Sequence, residues 1–183
     1  KFSLRAAAES LFKKMFHDYK DEFKPVLTSL MNETMNAVDP SNIQGILSKD
    51  AVYNAVGLSS FDLFDEVNFD DWFKNHLVHE LKVADSNYRI LRRRVIWLVG
   101  QWAGVRFSSE NRPLLYEACI HLLSNDSDFV VRFNTANTLK LAIDDFDFDR
   151  EGFLPYLSST FTLLFNLLKD AHECDAKMQV RCL

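Results

Sequence analysis

Glycine and proline are scarce in this chain, with five glycines and four prolines among 183 residues. Neither is gathered into the clusters that bound strands and close hairpins, which excludes a β-rich fold. Cysteine is scarcer still. Cys119, Cys174 and Cys182 cannot all pair within the chain, and each falls inside a helical pattern. They read as free thiols of a reducing compartment, cytosol or nucleus. No apolar run approaches the roughly 18 residues of a membrane span, and the oily stretch Phe161 to Leu168 is broken by Asn166 and ended by Lys169. The opening Lys1-Phe2-Ser3-Leu4-Arg5 lacks the apolar core and cleavage site of a signal peptide. Excess positive charge is missing too. A net charge of −5 and a pI near 5.5 argue against a direct nucleic-acid binder and suit a partner with basic surface.

Signatures of catalysis are also absent. There is no Gly-rich phosphate loop, no His-Glu-x-x-His, and no cysteine set with a histidine and an acid in a nucleophile motif. His76 and His79 stand three apart on a helical pattern, but a zinc site needs further ligands, so they read as ordinary surface histidines. The expectation is a chain that is not an enzyme and carries no metal or cofactor.

What is present is helical periodicity. Hydrophobic residues make up 48% of the chain, ample for a packed core, and recur at three- and four-residue steps almost throughout. The class is all-α. The pattern also repeats. Segments of basic or small residues followed by leucines can be anchored on Arg5, Ala51, Arg92 and Arg132, with spacings of 46, 41 and 40 residues, and Lys177 follows 45 residues on. A period of about 40–47 residues belongs to HEAT and armadillo arrays. The expected architecture is therefore a right-handed HEAT-repeat solenoid of about four repeats over 1–183. The chain opens on a second helix without a partner, and Met178, Val180 and Leu183 make an apolar edge at its close. Since terminal repeats need polar outer faces, this predicts a stretch cut mid-repeat at both ends of a longer protein.

Each unit reads as a first helix, a short polar turn, a second helix and an acidic link. First helices are predicted near 21–36, 70–84, 109–123 and 150–169. Second helices are predicted near 3–17, 48–64, 88–103, 129–143 and from 174 onward. Pro25, Pro113 and Pro155 fall in the first turn or two of first helices, where a missing N–H costs least. Asp70, Ser108 and Asp149 are expected N-caps, with Phe69, Phe107 and Phe148 packing back as staples. The stretch 37–47 is the longest turn and the expected mobile loop.

Asp126 stands six residues before Arg132, the spacing of an aspartate–arginine ladder that satisfies charges which stacking would otherwise bury alone. Arg132 is expected in that ladder with Asp126 as partner or near neighbour, and Arg92 is expected to join it. Ser86 replaces the aspartate before Arg92, which makes the ladder imperfect. The run Arg92-Arg93-Arg94 covers most of a helix circumference, so its members cannot share one role. Arg93 and Arg94 are either solvated, or paired with acids of adjacent repeats, or, for Arg93 together with Arg89, part of an exposed stripe that meets a partner. Trp97 follows on that stripe and is weighed equally as anchor or core, whereas Trp102 is expected in the core. Lys140 is the equivalent position one repeat later. Arg89, Arg93, Trp97 and Lys140 are the expected protein-binding residues.

Longer runs carry a resemblance. Asp50-Ala51-Val52-Tyr53-Asn54-Ala55-Val56-Gly57-Leu58, Leu91-Arg92-Arg93-Arg94-Val95-Ile96-Trp97-Leu98-Val99-Gly100-Gln101-Trp102, Phe153-Leu154-Pro155-Tyr156-Leu157 and Cys174-Asp175-x-Lys177-Met178 resemble the middle repeats of the importin-β family of nuclear transport receptors. The likeness spans nearly the whole chain and is strongest after Lys49. It implies a receptor that binds protein cargo in the cytoplasm, crosses the pore past nuclear pore proteins, and releases cargo to Ran-GTP in the nucleus. It also implies that second helices line the concave face, that the principal Ran site lies outside this stretch, and that neither nucleic acid nor membrane is a partner. The alternative from a different class is a static HEAT scaffold that holds protein complexes together.

Overall fold

The computed structural model describes residues 3–171, which are helical without a strand among them. Helices α1 (Leu4–Asp18) and α2 (Lys20–Thr34) are separated by Tyr19 alone. Helix α3 (Ile43–Leu58) follows, then the single turn α4 (Ser60–Leu63). Next comes one interrupted helix: α5 (Phe69–Trp72), a π turn at Phe73–Leu77, and α6 (Val78–Glu80). Helix α7 (Arg89–Ala103), a 3-10 turn at Ser109–Asn111, and α8 (Arg112–Asn125) lead to α9 (Phe129–Ile143) and α10 (Arg150–Asp170). Helices α3, α7 and α9 stack in one row, and α8 packs on α10 in another. This is the two-layer HEAT solenoid that the period predicts.

Local chemistry sets the boundaries. Asp128 and Asp149 accept from the N–H groups of Val131 and Glu151 and start α9 and α10. Pro113 sits in the first turn of α8. Two of the expected caps need correction. The cap before α5 is Asn68, whose side chain accepts from the Asp71 N–H, not Asp70. Asp70 instead reaches across the units: its carboxylate accepts from the Ser108 N–H at 3.0 Å, the Ser108 hydroxyl at 2.9 Å and the Asn111 amide at 2.8 Å. Ser108 is therefore a donor to the neighbouring unit and caps nothing with its side chain.

The stretch 37–47 is shorter as a loop than expected. Asn42 accepts from the Gly45 N–H and starts α3 at Ile43, five residues before the predicted 48. Asp39 folds the preceding turn by accepting from the Ser41 N–H and hydroxyl, and Asn87 of the next turn donates to the Pro40 carbonyl. The interruption at Phe73–Leu77 left no mark in the pattern. A π turn accommodates one extra residue, and here it keeps Trp72, Phe73, Leu77 and Val78 all buried. The predicted second helix from 174 onward, with Lys177 as its anchor, lies outside the described residues.

The main apolar seam runs from Phe16 to Phe153, with two smaller clusters around Ala136 and Leu91 beside it. Trp102 is fully buried and stacks on Phe69 of the unit's own first helix, as the core reading expected. Close approach of the second helices depends on two glycines. A Cβ on Gly57 would come 2.5 Å from the Trp97 ring, and one on Gly100 would come 2.8 Å from the Thr138 hydroxyl. That hydroxyl donates to the Ile96 carbonyl at 2.6 Å and ties α9 to the backbone of α7.

Candidate functional site

The second helices carry the charged residues that the sequence singles out, and stacking determines which of them stay free. A buried cation must meet an acid and further acceptors or it costs several kcal/mol. Two second helices solve this with a buried pair, and a third carries the same kind of pair nearer the surface. Lys49 of α3 is buried against Glu80 at the end of α6 and donates to the Asn36 carbonyl at 2.9 Å. Arg92 of α7 meets Asp126, just past the end of α8, at 2.5 Å and donates to the carbonyls of Val83 and Asp85. Arg132 of α9 meets Asp170, the last residue of α10, at 2.6 Å. Each rung joins the second helix of one unit to the first helix of the next.

This corrects the expected pairing within the turn. Asp126 bonds Arg92, one unit back, and Arg132 takes Asp170 as its partner. The ladder runs forward along the chain. Lys49 and Glu80 were missed because neither is an aspartate or an arginine, yet Lys49 stands 43 residues before Arg92, within the repeat period. Tyr53 completes that rung: its hydroxyl donates to Glu80 at 3.2 Å, and burial together with the Glu80 charge pushes the phenol far above its usual range.

The stripe of α7 is only partly open. Arg89 is exposed and makes no ion pair among the described residues. Arg93 is half-buried and bound in two-point fashion by Asp128 of α9. Desolvation alone would raise the Asp128 carboxyl, but the Arg93 bonds and the N–H groups that Asp128 caps outweigh it and hold it below the usual carboxylate range. Arg94 turns the other way. Its guanidinium meets Asp50 and Asn54 of α3 and lies 4.8 Å from the Trp97 ring centre. Trp97 is half-buried between that guanidinium and Gly57. Lys140 is half-buried and forms no ion pair among the described residues.

The three consecutive arginines thus divide among three acids: Arg92 and Arg93 go forward to Asp126 and Asp128 of one turn, and Arg94 goes back to Asp50. The structure brings Arg89, Arg93 and Trp97 onto one side of α7, and places Lys140 on the next second helix. It does not assemble them into a free basic strip, because Asp128 neutralises Arg93. Asp50, Asn54 and Asp128 belong to the same surface and went unrecognised. Their signal was the 44-residue step from Asp50 to Arg94 and the 35-residue step from Arg93 to Asp128.

Other surfaces offer less chemistry. An apolar groove of about 640 Å³ beside α10 is lined by Phe153, Leu157, Phe161 and their neighbours, with Arg150 and Thr160 as its polar members. Among the described residues no group of histidines, cysteines and acids is placed to hold a metal ion.

Comparison with known proteins accords with this framework. No protein-family model matches the chain. Importin-11 of Homo sapiens and importin-11 of Mus musculus are each 53% identical to it over 180 residues, which is 98% of this chain and 18% of theirs. The importin β-like protein KAP120 of Saccharomyces cerevisiae is 26% identical over 89% of this chain and 16% of its own length. The solved structure of Lph2, a bidirectional nuclear transport receptor of S. cerevisiae, superposes with a TM-score of 0.87 over 98% of this chain and 18% of that one, at 24% identity. The chain spans about a fifth of the length of these relatives. With more than half its residues shared with importin-11 along nearly its whole length, it belongs to the importin-β family.

Proposed function

We propose that the chain serves as a stretch of the cargo-carrying framework of a nuclear transport receptor, about four HEAT repeats long. The observation that carries this reading is 53% identity to importin-11 over 98% of the chain. In this reading the partners are protein cargo, Ran-GTP acting mainly at a site outside this stretch, and nuclear pore proteins. The receptor shuttles between cytoplasm and nucleus and catalyses no reaction. Arg89, Arg93, Trp97 and Lys140 form the protein-facing side of the second helices. Arg92, Asp126 and Arg132 hold the units in register beneath it.

Charge on this face acts on association rate and salt dependence more than on final affinity. Arg89 is exposed and unpaired among the described residues, so its charge is more available to a partner than that of half-buried Lys140. The test is a pull-down with the full-length receptor, comparing Ran-GTP with Ran-GDP and native chain with Arg89→Glu. The reading expects cargo to be lost with Ran-GTP only, and Arg89→Glu to slow cargo association without a change in melting temperature. Equal cargo retention in both nucleotide states marks a static scaffold instead.

A further inference from the structure

Away from the second helices, one surface carries charge of a single sign. Between Asp71 and Asp85 the sole acid is Glu80, and it is buried against Lys49. The exposed face of this stretch is therefore basic: Lys74 and His76 in the π turn, His79 on α6, and Lys82 just past its end. None of these four forms an ion pair among the described residues. The stretch lies in the middle of the chain, with a complete helical pair before it, α2 and α3, and another after it, α8 and α9. Its exposure is thus set by described neighbours on both sides. π turns within helices recur at functional positions.

Lys82 also borders a cleft of about 190 Å³ between this segment and the end of α8, where His121 and Asn125 face it and the Arg92–Asp126 rung forms part of the wall. The acceptors of this cleft are largely taken. The Asp126 carboxylate receives Arg92 and the Asp128 N–H, and the Val83 carbonyl receives Arg92. Asn125 donates to the His121 carbonyl at 3.1 Å and to His121 Nδ1 at 3.3 Å. An amide N–H can only donate, so Nδ1 accepts and the ring proton stands on Nε2. Helix-end carbonyls that would repel an anion are covered as well. The N–H groups of Leu81, Lys82 and Val83 bond those of Leu77, His79 and Glu80. What remains is donors: the Lys82 ammonium, His121 Nε2 and the exposed Ser127 hydroxyl, none with a partner among the described residues.

We infer that this cleft and the basic face beside it dock an acidic peptide segment of a protein partner. One carboxylate sits between Lys82 and His121, and further acids run along His79, His76 and Lys74. The inference rests on charge and on unmet donors, and does not depend on the transport reading. A chain of net charge −5 repels polyanions elsewhere, so attraction is confined to this patch. The same repulsion disfavours nucleic acid, which carries a phosphate at every nucleotide, whereas a peptide can space its carboxylates to meet the patch alone. Beneath the site the Arg92–Asp126 pair stays closed, because opening it would strand two buried charges. It is a fixed floor of no net charge. Exposed donors of this kind act mainly on association rate and salt dependence.

The test titrates the native chain into a fluorescein-labelled peptide of alternating glutamate and serine and follows anisotropy. The same peptide with glutamine for glutamate, and a labelled oligothymidine, serve as controls. Saturable binding of the glutamate peptide alone is expected, weakening as salt is raised. Lys82→Glu should weaken it about tenfold and His121→Ala about threefold, while Lys82→Arg should keep it. Lys13→Glu makes the same charge change on exposed α1 and should leave binding unaltered. These side chains are all exposed, so unchanged melting temperatures certify the fold of each variant. Equal losses for Lys13→Glu and Lys82→Glu would mean long-range attraction without a site, and would overturn the proposal. Absence of glutamate-peptide binding, or equal binding of the glutamine peptide, overturns it too. Tighter binding of oligothymidine than of the glutamate peptide overturns the choice of partner.

Discussion

The rings of Phe69 and Trp102 are stacked, their planes 2° from parallel and their centroids 4.7 Å apart. This contact fastens the first helix of the central unit to the end of its second helix, and Phe107 closes over it from the link beyond, 6.2 Å from Phe69. Trp72 meets Phe69 edge-on from the same first helix. Trp102→Ala should cost about 3–5 kcal/mol, as removal of a fully buried aromatic does. Trp97→Ala should cost distinctly less, because Trp97 is half-exposed. Urea unfolding of the two variants ranks them, and an equal loss would mean that Trp97 is as much a core residue as Trp102.

Arg92 and Asp126 are both buried, with side chains 7% and 3% exposed. Truncating Arg92 to alanine leaves the Asp126 carboxylate without its cation and should destabilise by about 3–5 kcal/mol. Replacing both partners with apolar residues, Arg92→Met with Asp126→Leu, should recover a large part of that loss. A double-mutant cycle by chemical denaturation measures the coupling. Additive losses would show that the pair contributes nothing beyond its separate packing.

Arg93 and Asp128 give a pH signature. The folded Asp128 carboxyl is held below its ordinary value, so its contribution is fully present above the unfolded aspartate value of about 3.9. It is lost as pH falls through the lower folded value. The stability difference between native chain and Asp128→Asn should therefore be constant near neutrality and shrink below about pH 4. Because Arg93 is partly exposed, the difference should also shrink with added salt. Thermal melts across pH and salt check both, and a difference that persists undiminished in acid would show that the charge of Asp128 is not what stabilises.

Cys119 is fully buried, and burial pushes its thiol up to about 12. The thiolate that would react is absent at pH 8. Peptide mapping after iodoacetamide treatment should find Cys119 unmodified in the native chain and fully alkylated in guanidinium chloride. Modification of that peptide under native conditions would reveal opening of α8 from the stack.

Much of this architecture was legible in advance, and the reasons are physical. Helix α9 was predicted at 129–143 and runs from Phe129 to Ile143, because Asp128 caps it and the polar turn before it leaves no ambiguity. Helix α5 was placed one residue late because Asn68 and Asp70 are both good caps, and only the neighbouring unit decides that Asp70 is needed elsewhere. The π turn was invisible, since inserting a residue into a helix preserves an apolar pattern on either side of it. The ladder was recognised from its residue types, but its direction was misread. Spacing along one unit cannot tell which neighbour an aspartate faces. The stripe of α7 was overestimated for a related reason: periodicity locates Arg93 on a helix face, but not the Asp128 that another unit places opposite it.

The forward direction of the rungs means that the helical hairpin and the mechanically complete piece are different objects. A cut between hairpins severs a rung, leaving a bare cation on one side and a bare acid on the other. A cut made between a first helix and the second helix that follows severs no ion pair, since α3 keeps Glu80 as α7 keeps Asp126, and parts only Lys49 from the Asn36 carbonyl and Arg92 from those of Val83 and Asp85. The block that keeps its charges paired is thus a second helix with the first helix after it, half a period out of step with the fold's visible unit. Exchanges of segments among relatives should survive best when their junctions respect that offset.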